Sequence, residues 1–204
     1  MDKIESYVYG ILITDGSLYL QTKNKGKVQL EISEKDEDLV DKLVEVVPNS
    51  SKTKRVRTTN FSKEYHSVCF NNCQKEYRDN LIKNGFPTSN KTINANIPSC
   101  EYDEISFWRG VIDGDGSVGI TSKNEPFISL VTKSEFLKEE YLKFLFKNFN
   151  ITKKLNRNKR DNVYNIVVKN KNAVDLAKLL YDNDSIHLNR KYNKAKTIIE
   201  NFQY

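Results

Sequence analysis

The chain has 204 residues, with 33 lysines and arginines against 27 aspartates and glutamates, for a net charge of +6. That length suits one large domain or two of about 100 residues each, and 11 tyrosines and 10 phenylalanines supply enough apolar material for a core, which excludes a disordered chain. The basic excess favours a polyanionic partner, while the mixed-charge opening MDKIESYVYG excludes a signal peptide and no run is apolar enough to span a membrane.

In chain order, VYGILITDG (Val8 to Gly16) reads as a helix running into an Asp-Gly turn. Leu18 and Leu20 then alternate with Tyr19, Gln21 and Lys23, the period-two pattern of a half-buried strand with one wet face. DEDLVDKLVEVV (Asp36 to Val47) has helical spacing and reads as core. The basic stretch SKTKRVR (Ser51 to Arg57) leads to a strand-like HSVCF, a helical CQKEYRDNLIKNG, and Lys91 in TSNKT. After NANIPSCEYDE (Asn94 to Glu104) the order returns. WRGVIDGDG (Trp108 to Gly116) precedes Val118 and Ile120, which alternate with Gly119, Thr121 and Lys123. A helical EFLKEEYLKFLFKNF follows, then a basic TKKLNRNKR (Thr152 to Arg160), a strand-like YNIVV, a helical NAVDLAKLLYDND, and Lys191 in LNRKYN.

The two passes are in register. Gly10 meets Gly110, Asp15 meets Asp115, Gly16-Ser17 meets Gly116-Ser117 and Lys91 meets Lys191, always at an offset of 100. This is a tandem duplication: a first repeat over 1–96, a linker over 97–104 and a second repeat over 105–204, each ordered helix, strand, strand, helix, strand, strand, helix. The cysteines, Cys69, Cys73 and Cys100, form no even disulfide framework and fit a reducing compartment. Cys69 and Cys73 lack further soft ligands at zinc-finger spacing, and His66 and His187 stand alone, so neither a zinc site nor a Ser-His-Asp triad is indicated. The expected setting is the cytoplasm or an organelle, not the secretory route.

Glycine inside a helix costs about 1 kcal/mol relative to alanine, so Gly10 and Gly110 call for a reason. Small residues four apart, Gly10 with Thr14 and Gly110 with Gly114, share one helix face. Two helices, one per repeat, are expected to pack there about a pseudo-twofold axis, with Gly16 and Gly116 as left-handed terminators. Asp15 and Asp115 then emerge side by side. Two carboxylates at helix C-termini repel each other and oppose both dipoles. A divalent cation between them, together with phosphate, resolves the conflict. Only oxygen ligands are on offer, which points to Mg²⁺ and to phosphodiester hydrolysis.

VYGILITDG and WRGVIDGDG resemble the two LAGLIDADG motifs of single-chain homing endonucleases, and the likeness extends through the repeat order across nearly the whole chain. The first motif departs at Ile13, where the family usually has an acidic residue. The resemblance implies an α+β fold of two pseudo-symmetric αββαββα repeats, with saddle-shaped antiparallel sheets astride DNA and the motif helices paired at the interface. It implies that Asp15 and Asp115 hold metal, with the Thr14 and Gly114 carbonyls beside them, and that Lys91 and Lys191 act at the active site. Glu34, in ISEK, stands where the family often has a glutamine that orients water; its counterpart is Lys133. Mg²⁺ is the expected cofactor, with Mn²⁺ substituting and Ca²⁺ supporting binding without cleavage. With Leu18, Leu20, Val118 and Ile120 buried, the opposite faces bearing Tyr19, Gln21, Lys23, Thr121 and Lys123 are free for the major groove. Lys25, Lys54, Arg55, Arg57, Lys154, Arg157, Lys159 and Arg160 are expected to grip phosphates or bases. The expected activity is that of a monomeric endonuclease cutting both strands of a long, non-palindromic duplex. An intron-RNA maturase and a non-catalytic DNA-binding relative are the alternatives.

Overall fold

The computed structural model describes residues 1–58, 64–181 and 186–202. The first half runs α1 (Lys3–Asp15), β1 (Gly16–Leu20), β2 (Gly26–Ser33), a 3₁₀ turn (Glu34–Asp36), α2 (Glu37–Val46), β3 (Ser50–Arg57), β4 (Tyr65–Asn72), α3 (Lys75–Lys83) and α4 (Lys91–Asn94). The second runs α5 (Glu104–Asp115), β5 (Gly116–Ile120), β6 (Pro126–Thr132), α6 (Glu135–Phe149), β7 (Tyr164–Lys169), α7 (Asn170–Tyr181) and α8 (Asn189–Asn201). Residues 182–184 of the helical NAVDLAKLLYDND lie outside the described residues. The fold is α+β, with one antiparallel sheet in each repeated unit, ordered β1-β2-β4-β3 and β5-β6-β7. Among the described residues no helix is long and apolar enough to cross a membrane.

Local chemistry sets the helix ends. Asp2 and Glu5 form a capping box at the start of α1: the Asp2 carboxylate accepts from Glu5 N at 2.8 Å, and Asp2 N donates to Glu5 Oε2 at 3.2 Å. Asp103 caps α5 through Ser106 N at 2.8 Å, and Ser134 caps α6 through Leu137 N at 3.1 Å. The chain uses asparagine where many proteins use glycine: Asn24, Asn90, Asn124 and Asn150 all take left-handed backbone at φ between 48° and 60°.

The centre of the molecule is the α1–α5 pair. Both helices are buried on nearly every side, with Tyr7, Leu12 and Ile13 of one and Phe107, Trp108 and Ile112 of the other at most 1 % exposed. Their backbones touch at the glycines. A Cβ on Gly10 would lie 2.3 Å from Phe107 O, and one on Gly110 would lie 2.3 Å from Tyr7 O. One step toward the C-termini, a Cβ on Gly114 would stand 1.9 Å from Thr14 Oγ1. Glycine is required at all three places because another helix's atoms occupy the side-chain volume.

Three features differ from the sequence expectation. Gly16 and Gly116 are extended, not left-handed, at φ −73° and −90°. Their requirement is steric: a Cβ would lie 2.6 Å from Leu12 O and from Ile112 O respectively, because each helix passes directly into its strand. Leu20 and Ile120 are 51 % and 37 % exposed, since β1 and β5 are edge strands whose far ends outrun the core. Among the described residues the second sheet also has no fourth strand. Residues 152–160 run beside β7 without a ladder, held by Asn158 N donating to Val163 O at 2.7 Å and by Lys153 Nζ on Val167 O. TKKLNRNKR contains Asn156 and Asn158, poor strand formers, where SKTKRVR has Thr53 and Val56.

The helix contact predicts a sign reversal. Gly10→Ala in an open helix would stabilise the chain by about 1 kcal/mol. Here the methyl group meets Phe107 O, so Gly10→Ala is expected to destabilise by about 1–3 kcal/mol, as overpacking does. Urea unfolding checks it, and unchanged or increased stability would refute the contact.

Candidate functional site

α1 and α5 end side by side, and the strands leave them at once. Asp15 and Asp115 are the last helical residues, and Gly16 and Gly116 open β1 and β5. The Cβ position of Gly114 is 3.4 Å from Asp15 Oδ2, so the carboxylate of one helix lies against the end of the other. The candidate site is therefore the meeting point of both helices and both sheets.

Each helix end also receives a lysine from its own repeat. Lys191 Nζ donates to Ile112 O at 2.7 Å, Asp113 O at 2.7 Å and Gly114 O at 3.0 Å, which uses all three ammonium protons. Lys91 Nζ donates to Thr14 O and, at 3.4 Å, to Leu12 O. A cation at a helix C-terminus offsets the dipole and fills carbonyls the helix leaves open. The Thr14 and Gly114 carbonyls, expected as metal ligands, thus each already hold a lysine; one lone pair remains on each oxygen.

Electrostatics follow from this crowding. Burial among protein atoms raises the Asp15 carboxyl, opposed by Lys191 and Lys91. Burial, and then Asp15, push Asp115 up to about 6, again against the two lysines. Burial lowers both Lys91 and Lys191 to about 8, with Asp115 and Asp15 holding the first up and Asp113 chief among the groups holding up the second. Both aspartates nonetheless keep exposed side chains. The accessible surface decides what can reach them, and the protein packed behind them sets their charge. Near neutral pH the site holds two carboxylates and two ammonium groups within mutual influence.

The site has a buried support that the motif reading passed over. Asp113 is 2 % exposed and accepts three hydrogen bonds: from Tyr7 OH at 2.8 Å, Tyr181 OH at 2.7 Å and Leu188 N at 2.8 Å. Tyr7 comes from the first half, Tyr181 from α7, and Leu188 is the N-cap of α8, which carries Lys191. Arg109 lies over the Tyr7 ring and donates to Ser106 Oγ, Leu180 O and Ile186 O. The first half has Ile13 at the matching position, so only the second lysine has this support. The signal was a carboxylate inside an apolar helix, with two tyrosines far away in sequence.

Other expected site residues are distributed by strand pleat. Neighbours in β3 point to opposite faces. Arg55 and Arg57 face away from the helices and pair with Glu31 at 3.4 and 3.1 Å. Lys54 does not join them. It faces the helix layer, where Glu34 of the 3₁₀ turn (2.9 Å) and Glu37 of α2 (2.7 Å) bind it. The Glu34 carboxylate is held by Lys54, with His66 Nδ1 at 3.6 Å; Lys133 is exposed. Arg157 is likewise turned inward, over the Tyr164 ring and onto Tyr164 OH at 3.1 Å. Tyr19, Gln21, Lys23, Lys25 and Lys123 are exposed on β1 or at the two hairpin tips, and Lys154, Lys159 and Arg160 are exposed on the 152–160 segment. Thr121 Oγ1 accepts from Glu125 N at 3.2 Å, so it serves its own turn. Cys69, Cys73 and Cys100 are free thiols, and His187 stacks on Tyr192 at 4.0 Å.

The geometry agrees with what comparison finds. Residues 103–181 match a LAGLIDADG-like domain, and residues 4–66 match the WhiA LAGLIDADG-like domain. The chain belongs to the LAGLIDADG family. Its fold is similar to that of the homing endonuclease I-WcaI bound to its DNA recognition sequence, at TM-score 0.65 and 16 % identity, covering 99 % of this chain and 87 % of that one. It is similar to the N-terminal LAGLIDADG domain of DUF199/WhiA, at TM-score 0.53 and 14 % identity, covering 87 % and 82 %. It is also similar to I-DmoI in complex with DNA and Ca, at TM-score 0.50 and 14 % identity, covering 89 % and 91 %. No curated protein sequence matches the chain.

Two outcomes follow. A raised acid favours the neutral form in the folded state, so the folded chain binds more protons than the unfolded one between about pH 4, the ordinary aspartate value, and the Asp115 value of about 6. Stability therefore falls as pH rises through that window. Without divalent cations, Asp115→Asn is expected to be more stable than the parent at pH 7, with the advantage gone below about pH 4; urea unfolding across pH reads it. Asp113→Ala leaves two hydroxyls and a backbone N–H without their acceptor, at about 1–3 kcal/mol for each buried group. Its unfolding free energy should drop by at least about 3 kcal/mol.

Proposed function

We propose that the chain is a site-specific DNA endonuclease that hydrolyses one phosphodiester bond in each strand of a long, non-palindromic duplex, acting as a monomer with Mg²⁺. The observation that carries the reading is the pair of exposed carboxylates, Asp15 and Asp115, at adjoining helix ends, each beside a lysine lowered to about 8. A structural role would not place two repelling acids at the C-termini of two helices.

The donor set fits a hard divalent cation. Asp15 and Asp115 offer carboxylate oxygens, and Thr14 O and Gly114 O keep free lone pairs beside them. Among the described residues no cluster of three His, Cys, Asp or Glu side chains forms a complete protein cage; a site completed by water and phosphate does not need one. Such a cation, held by Asp15 and Asp115, would supply Lewis-acid chemistry for phosphodiester hydrolysis. The chain's own groups do the rest. Asp15 and Asp115 would hold the cation between the helix ends, so that its charge offsets their repulsion and draws the reacting phosphates there. Lys91 and Lys191, charged near pH 7, place positive charge beside the negative charge that develops on the phosphorus oxygens and act through space, because the Lys191 protons are committed to the α5 carbonyls. Their lowered values also suit a proton transfer near neutrality. The two sheets, starting at the site, lay their open faces along the flanking grooves, and Arg55 and Arg57 extend from the first. Tyr19, Gln21, Lys23, Lys25, Lys123, Lys154, Lys159 and Arg160 supply exposed contacts further out. Lys54 and Arg157, committed to the helix side, are left out of the grip.

The match of the first half to WhiA favours one competing reading, a DNA-binding protein that does not cut. Retention of both aspartates and both lysines argues for the enzyme. A randomised duplex library incubated with protein and Mg²⁺ separates them by recovery of cut ends. Asp15→Asn and Asp115→Asn should each lower cleavage at least about a hundredfold, the scale seen when a transition-state charge stabiliser is removed, while gel-shift affinity stays within a few-fold. Binding with no cleavage by the unmodified chain would establish the competing reading.

A further inference from the structure

The strand register shows which side chains look away from the helix layer, and the two sheets differ there. In the first sheet that face carries Tyr19 and Lys27, then Glu31, Arg55 and Arg57. Glu31 is the hub: it accepts from Ser67 Oγ at 2.7 Å and pairs with Arg55 and Arg57, holding two guanidinium groups in set directions while they remain exposed. In the second sheet the equivalent face carries Ser117, Gly119, Phe127, Ser129, Val131 and Val167, with the exposed Asn165 opposite Val131. The helices cover the other side, where Ile128, Leu130, Ile166 and Val168 are at most 1 % exposed. Val131 is 38 % exposed, and the Phe127 ring stands 3.2 Å from the Cβ position of Gly119, lying over that glycine. Charge is confined to the ends of this face: Lys169 pairs with Glu125 at 3.2 Å, and Lys133 follows β6.

Guanidinium groups read guanine O6 and N7, whereas apolar side chains in the major groove meet the thymine C5-methyl group. We infer that the chain reads its two half-sites by different chemistry: guanine-containing on the first sheet, through Arg55 and Arg57, and thymine-rich on the second, through methyl contacts to Phe127, Val131 and Val167. The inference rests on the duplex-DNA reading above. A protein partner is the poorer occupant. The apolar side chains are interleaved with the polar Ser117, Ser129 and Asn165 and form no continuous apolar surface.

The test uses the duplex recovered from the library and the unmodified protein, with EDTA present so that binding is measured alone. Replacing thymine by deoxyuridine in one half-site removes methyl groups and nothing else. Affinity should fall about fourfold for each methyl contacted, and 7-deazaguanine in that half should have no effect. The other half-site should respond in the opposite way, to 7-deazaguanine and not to deoxyuridine. Arg55→Ala should relax base preference in the guanine half alone, which assigns the halves. Equal responses in both half-sites, or Arg55→Ala relaxing the methyl-sensitive half, would overturn the inference while leaving DNA recognition standing. Recovery of no preferred duplex would overturn both. A dimer in sedimentation that Val131→Asp converts to monomer would reassign the face to a protein contact.

Discussion

The backbone contact of α1 with α5 at Gly10 and Gly110 governs the rest of the molecule. Helices usually meet at 8–10 Å between axes, separated by side chains. Here each glycine lends its side-chain volume to a carbonyl of the other helix, Phe107 O and Tyr7 O. Nothing flexible lies between them. The relative position of the two halves is set by rigid main chain, and the two helix ends inherit that precision. Asp15 and Asp115 are held as a pair although they repel.

The repulsion is managed locally. Lys91 and Lys191 neutralise the helix ends by binding carbonyls, not carboxylates. The acids therefore keep their oxygens exposed, and each lysine loses little freedom when a substrate arrives. This is preorganisation of charge in an uncovered site: the cost of gathering like charges is met by folding, in the α1–α5 core, before any ligand binds.

How much of this was legible in the sequence depended on the type of interaction. The offset of 100 exposed the duplication, and glycines inside apolar helices exposed the close contact, because both leave a mark on composition. A basic run says nothing of the pleat, and Lys54 and Arg55 part company because adjacent strand residues face apart. The unformed fourth strand is legible in part, in the asparagines of TKKLNRNKR, whereas the pairing of Lys52 and Lys54 with Glu37 in the first half needs tertiary structure. Residue type alone points to left-handed backbone at Gly16 and Gly116. It occurs instead at asparagines, and these two glycines answer to Leu12 O and Ile112 O. The Asp113 network joins residues 106 and 68 positions apart, beyond the reach of any local pattern.

That network changes how the duplication should be regarded. Tyr7 of the first half donates its hydroxyl to a carboxylate buried in the second, and Ile13 offers nothing in return. The ancestral symmetry has become a lock and its key. Two copies of the first half would lack Asp113 and the polar triad that fixes α8. A second half standing alone would bare a carboxylate that now depends on its neighbour's tyrosine. The repeats are no longer interchangeable modules, and grafting either onto a foreign partner requires carrying Tyr7 or Asp113 across with it.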